Sequence, residues 1–209
     1  MDAIAQGSAP KPPTKRHYDL HFREGPAGGL VWRYRDAGIA LSATGMEWRT
    51  AVERRFTDWS TIDTIRVQTG HIPKSGYFGS CQITFRNGRM LTVNSLDSWG
   101  RADPGRYDDY AEFLQDLHSH LGEADRKRIR FVAGITEGRQ MFGKVALVIG
   151  GAFFILLPLV LLLLTGEIKA LFITLGGAAF IIPMFRTMKK NEPRTYDPVH
   201  LDDDLFPHT

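Results

Sequence analysis

The sequence predicts an α+β membrane protein: a compact β-domain capped by one helix, followed by an antiparallel transmembrane helical hairpin. Three observations point there. Two uncharged apolar runs, Val145–Leu164 and Ala170–Phe185, are separated only by Thr165–Lys169. Residues 29–96 alternate short apolar stretches with turn residues, as antiparallel strands do. The stretch DYAEFLQDLHSHL then repeats its apolar residues every three or four positions, the period of an amphipathic helix.

The chain has 209 residues, enough for one ordinary domain and additional segments. Its net charge of +3 is too small to indicate nucleic acid as a partner. A single cysteine, Cys81, excludes an internal disulfide and suits a reducing compartment. The opening MDAIAQGSAPKPPTKR lacks the apolar core of a secretory signal. Residues 1–16 read as a disordered tail, because their Pro, Gly, Ala and Lys cannot bury enough surface to offset the entropy of ordering.

The β-domain spans 17–125. Strands are expected at 30–35, 38–42, 45–50, 53–57, 61–68, 80–86 and 89–94. The clearest unit is the hairpin CQITF-RNGR-MLTV. Cys81, Ile83 and Phe85 share one face, Gln82, Thr84 and Arg86 the other, and Asn87-Gly88 supplies the positive backbone angles of a tight turn. The closing helix runs over 106–121. Tyr107, Tyr110, Ala111, Leu114, Leu117 and Leu121 form its apolar side; Asp108, Asp109, Glu112 and Asp116 form its wet side and suit its N-terminal half. Gly122 ends it.

Short strands closed by one helix resemble the pleckstrin-homology (PH) superfold. The likeness is carried by FTDWSTIDTIRV, by ITFRNGRMLTV and by YAEFLQDLHSHL. It implies a seven-stranded PH-like β-sandwich or barrel plugged by its C-terminal helix. Over roughly residues 17–186 the chain is similar to bacterial membrane proteins that carry a PH-like domain beside a two-helix hairpin. The resemblance implies a binding module for lipid headgroups, peptides or proteins. The lipid-binding members cluster Lys and Arg between their first two strands. Here that region reads WRYRDAGIALS, which departs from the pattern.

The first apolar run has 20 residues and rises about 30 Å, the thickness of a bilayer core. The second has 16, or 18 if Ile168 is counted with Lys169 snorkelling, near the lower limit for a crossing, and the spans are expected at 145–165 and 168–185. Arg126, Lys127, Arg128, Arg130, Arg139 and Lys144 precede the first run, and Arg186, Lys189, Lys190 and Arg194 follow the second; the break holds only Lys169. Basic residues stay on the cytoplasmic side, so the expectation is a multi-pass protein of the cell's inner (plasma) membrane, both termini cytoplasmic. Ala146, Gly150, Ala170, Thr174 and Ala178 are small residues at helix-contact spacing and are the candidates for helix packing. The runs hold little that could bind or conduct an ion.

Candidate contact residues lie in two places. The segment TGHIPKSGYFGS, 69–80, is expected as a loop offering Lys74, Tyr77 and Phe78 to a partner or a lipid surface. The basic linker 126–144 is expected to meet anionic lipid through Arg126, Lys127, Arg128, Arg130, Arg139 and Lys144. His118 and His120 stand two apart, whereas a chelating pair on a helix needs three or four, so no metal and no cofactor is expected. No phosphate-cradling glycine loop, HExxH or GxSxG is present, and no enzyme is expected. The tail 186–209 mixes Tyr196, Leu201, Leu205 and Phe206 with acids and prolines and reads as a docking motif or a disordered end. The partners implied are the lipid bilayer and another membrane or cytoplasmic protein, with a homo-oligomer open. The chain reads as an interaction adaptor, with a sensor of anionic lipid and an accessory subunit of a channel or transporter as alternatives.

Overall fold

The computed structural model describes residues 16–25, 35–36, 38–49, 53–72, 74–166 and 168–207. It is an α+β protein with two sheets. In chain order the strands are β1 (Arg16–Tyr18), β2 (His21–Glu24), β3 (Arg35–Asp36), β4 (Ile39–Ser42), β5 (Gly45–Arg49), β6 (Arg54–Asp58), β7 (Ile62–Ile72), β8 (Gly76–Phe85), β9 (Met90–Asn94), β10 (Arg130–Ala133) and β11 (Arg194–Thr195). One sheet has the order β1-β4-β5-β6, the other β11-β10-β7-β8-β9-β2-β3. The helices are α1 (Tyr107–Ser119), α2 (Glu123–Arg128), α3 (Glu137–Gly151), α4 (Leu157–Thr165) and α5 (Lys169–Lys190), with a π-turn, Ala152–Leu156, joining α3 to α4.

The hairpin of β8 and β9 stands where its pattern puts it. Cys81, Ile83 and Phe85 are buried, Gly88 takes φ +78°, and the Phe85 N–H donates to the Arg89 carbonyl at 2.9 Å. Helix α1 buries Tyr107, Tyr110, Leu114 and Leu117 as its spacing implies. It also buries Phe113 and His118, while Ala111 is half-buried.

Four differences from the sequence reading have physical reasons. First, β1 and β2 precede the expected strands. Tyr18, Leu20 and Phe22 alternate inward, fully buried, between outward His17 and Asp19; so short a run amid charges gives little signal. Of the strand expected at 30–35, only Arg35 is described, as the start of β3; residues 30–34 and the tail 1–15 lie outside the described residues.

Second, 69–80 is not a loop. It forms the outer halves of β7 and β8, joined by a turn containing Lys74 and Ser75. Gly70 and Gly79 serve close approach rather than turning: a β-carbon at Gly70 would lie 2.5 Å from the Phe78 ring, and one at Gly79 would lie 2.2 Å from the Tyr110 ring, whereas Gly76, beside the turn, takes φ +107°.

Third, the basic linker belongs to the domain. Residues 123–128 form α2, and RFVA becomes β10, which lies parallel to β7 with Arg130 opposite Thr64 and Ala133 opposite Val67. The pairing is therefore not antiparallel throughout. A parallel neighbour needs a long crossover, and β8, β9, α1 and α2 together provide it.

Fourth, the tail returns. Arg194–Thr195 pairs antiparallel with β10, Tyr196 and Leu205 enter the core, and Leu201 and Phe206 pack against it.

Helices α3, α4 and α5 form an antiparallel pair. The sites where glycine lets the chains close up fix the register: Gly143 faces Met188, Gly150 faces Ile181, and Gly177 faces Phe154. Helix Gln140–Thr165 is long and apolar enough to cross a membrane, and only 6 % of its most apolar stretch is buried by the rest of the protein. The apolar part of α5, Leu171–Pro183, is shorter.

Candidate functional site

A strongly cationic concavity lies where the β5–β6 hairpin meets the β8–β9 turn. It encloses about 410 Å³ and is walled by Arg54, Arg55, Arg86 and Arg89, with Glu53 at its rim. Its apolar wall is a stack of Trp48 on Phe85, ring centroids 6.0 Å apart and ring planes nearly parallel. Glu24, from β2, ties the wall together. It accepts from the Trp48 indole at 2.6 Å, from Arg55 at 2.9 Å and 3.1 Å, and from Arg89 at 3.4 Å. Arg54 is mostly exposed and reaches Glu47 at 2.7 Å. Among the described residues no carboxylate lies within ion-pair distance of Arg86, so the cleft keeps an excess of guanidinium. Exposed Phe56 stands at the same wall. Forked guanidinium donors beside flat apolar rings suit a carboxylate-bearing, aromatic-rich segment. The arginines are spread over 54–89, so nothing in local sequence spacing marks the cleft. The Arg54-Arg55-Phe56 triplet was the available clue.

The candidate residues of 69–80 do not form one surface. Lys74 is exposed, in the turn, with φ +66°. Tyr77 is 41 % exposed and packs edge-on against His71 at 4.9 Å, while its backbone carbonyl accepts from the Tyr107 hydroxyl. Phe78 is half-buried over Gly70.

The basic residues of 126–144 divide. Arg126 donates to the His118 carbonyl at 3.2 Å. Arg128 donates to the carbonyls of Trp59 (2.9 Å) and Ile62 and pairs with Asp125 at 2.7 Å, so it fastens α2 to the sheet. Lys127 pairs with Glu123 at 2.6 Å. Arg130 is exposed at the start of β10. The side chain of Arg139 lies outside the described residues. Lys144 stands on α3 at the root of the helix pair and meets Glu192 at 3.1 Å.

That root is built like a bracket. The Gly134 N–H donates to the Val67 carbonyl at 2.8 Å, and the Ile135 N–H donates to the Asn191 carbonyl at 3.1 Å. Gly134 takes φ +87°, and a β-carbon there would lie 2.6 Å from the Glu192 carbonyl oxygen. Gln140 adds a bond to Glu192 at 2.8 Å. Of the helix-packing candidates, Gly150 lies against Ile181, and Ala146, Thr174 and Ala178 are half-buried; the side chain of Ala170 lies outside the described residues. The closest approach involves a glycine outside that set. A β-carbon at Gly177 would lie 2.8 Å from the Phe154 carbonyl oxygen. Pro158 has no N–H to offer that carbonyl, and the Leu157 N–H reaches back five residues to Ala152, so the widened turn presents Phe154 to its neighbour.

Burial shifts titratable groups of the core away from their ordinary values. Burial pushes the Cys81 thiol up to about 12 and pulls His118 down to about 4. His118 donates from Nδ1 to the Leu114 carbonyl at 2.7 Å and accepts at Nε2 from the Tyr196 hydroxyl at 2.8 Å. Among the described residues, no three of His, Cys, Asp and Glu converge as a metal site. No protein-family model matches this chain, and no curated protein matches it at a significant level.

Proposed function

We propose that this chain is a membrane-anchored, cytoplasm-facing adaptor whose PH-like domain binds a protein partner. The observation that carries the reading is the helix Gln140–Thr165, whose most apolar stretch is only 6 % buried by the rest of the protein and which is rooted directly in the sheet of a folded domain. The antiparallel partner α5 supports a hairpin that crosses the bilayer twice. The excess of Lys and Arg at the domain end, against Lys169 in the turn, supports a cytoplasmic domain and cytoplasmic termini. Two sheets with α1 packed on β8 and β1 support the PH-like likeness, to which β10 and β11 are additions. On that domain the arginine cleft is the binding surface, and its partner is an acidic segment with aromatic residues.

A photo-crosslinking residue placed at Phe56 in the full chain tests this in native membranes. The adaptor reading requires a crosslinked protein that disappears when Arg86→Glu and Arg89→Glu reverse the cleft's charge. Crosslinks that survive the reversal, or none at all, overturn it.

A further inference from the structure

The root of the helix pair carries a second concavity with a different chemistry. It encloses about 870 Å³ between α3 and α5. Leu147, Val148, Ile181 and Ile182 supply its apolar length, and Lys144, Arg186 and Lys189 supply its cationic end. The register that puts Gly143 against Met188 brings these three cations within about one helical turn of each other along the axis. Glu192 also lines the groove, but Lys144 (3.1 Å) and Gln140 (2.8 Å) already engage it. Among the described residues no carboxylate lies within ion-pair distance of Arg186 or Lys189.

We infer that this groove binds an anionic glycerophospholipid of the leaflet next to the domain. The phosphate is held by Arg186 and Lys189, and an acyl chain lies along Leu147 and Ile181. The inference rests on the membrane-anchored reading and gives it a specific ligand. Charge complementarity argues for this occupant: one end of the groove is cationic, the rest is hydrocarbon, and a phospholipid has the same division. An acidic peptide does not fit. Its backbone would enter the stretch that belongs to the uncharged runs, where its N–H and C=O groups would find no partner. Basic recesses between membrane helices on the cytoplasmic side are a recurrent setting for anionic headgroups. Of the residues expected to meet lipid in 126–144, Lys144 lines this groove, and Arg186 and Lys189 join it, while Arg126 and Arg128 donate to carbonyls of the domain.

The test uses the full chain reconstituted in phosphatidylcholine vesicles with and without phosphatidylglycerol. Detergent-released protein is then titrated with phosphatidylglycerol and bound lipid is counted by native mass spectrometry. Wild type is expected to retain phosphatidylglycerol in preference to phosphatidylcholine. R186Q with K189Q is expected to bind it roughly thirtyfold more weakly, and the charge-keeping R186K with K189R to bind as wild type does. Equal retention of the two lipids, or unchanged binding in the glutamine variant, overturns the inference. Alkaline carbonate extraction of the same membranes separates this from the parent reading. A chain that stays in the pellet yet shows no lipid preference overturns only the groove, whereas release into the supernatant overturns both.

Discussion

His118 is neutral because burial outweighs its bond to the Leu114 carbonyl, which alone would favour the charged ring. Its Nδ1 proton is given to Leu114 within α1, its Nε2 lone pair is used by Tyr196, and the Phe131 ring lies 5.7 Å away. Burial lowers its folded value from 6.5 to about 4, with nearby Arg126 acting in the same direction. The unfolded chain therefore binds the extra proton first. Stability is full above about pH 6.5, falls as pH drops, and has lost about 3 kcal/mol once pH passes the folded value near 4. Urea unfolding of the full chain in detergent, followed by tryptophan fluorescence at several pH values, should show this slope. His118→Gln, which keeps a donor and an acceptor without titrating, should flatten it. Tyr196→Phe leaves Nε2 unmet and should cost about 1–3 kcal/mol at neutral pH. The spacing of His118 and His120 was enough to exclude chelation, but the actual role was invisible because Tyr196 is 78 positions away.

Elements that carry their own turn chemistry were legible, and elements that depend on distant partners were not. The 81–93 hairpin declares itself through alternation and Asn-Gly, and α1 through its period. By contrast β10 is four residues after a charge run and β11 is two, and each is a strand only because its neighbour is. The arginine cleft was illegible for the same reason, since three separate strands and a turn assemble it. Gly70 and Gly79 misled because glycine reads as a turn when it serves contact equally well. Two expectations belong to this scale. Ending the chain after Pro193 removes β11, Tyr196 and Leu205, so the core opens; limited proteolysis should cut the β-domain much faster, with a lower melting temperature. Gly177→Leu forces α5 away from the Phe154 carbonyl. Disulfide crosslinking of cysteines placed at Val148 and Ile182 should show the pair loosened, while the hydrogen-exchange protection of the domain core persists.

The whole molecule offers a direct check on its placement. Cys81 is the sole thiol, it is fully buried, and burial pushes it up to about 12, so the folded protein should resist maleimide. That silence makes the chain its own background for topology mapping. Ile168→Cys, 70 % exposed in the turn between α4 and α5, should react with a membrane-impermeant maleimide from outside intact spheroplasts. A cysteine at Asp97 on the domain should react only after lysis. Labelling of both from outside, or of neither before lysis, would contradict the cytoplasmic placement.

The return of Arg194–Leu205 to the sheet has a consequence for synthesis. The segment that completes the β-domain follows both long helices in the chain, so a ribosome must make those helices before the fold can close. A copy whose second helix strays cannot deliver Tyr196 and Leu205 to the core they fill. Closure of the β-domain by Arg194–Leu205 thus depends on where the two helices have come to lie.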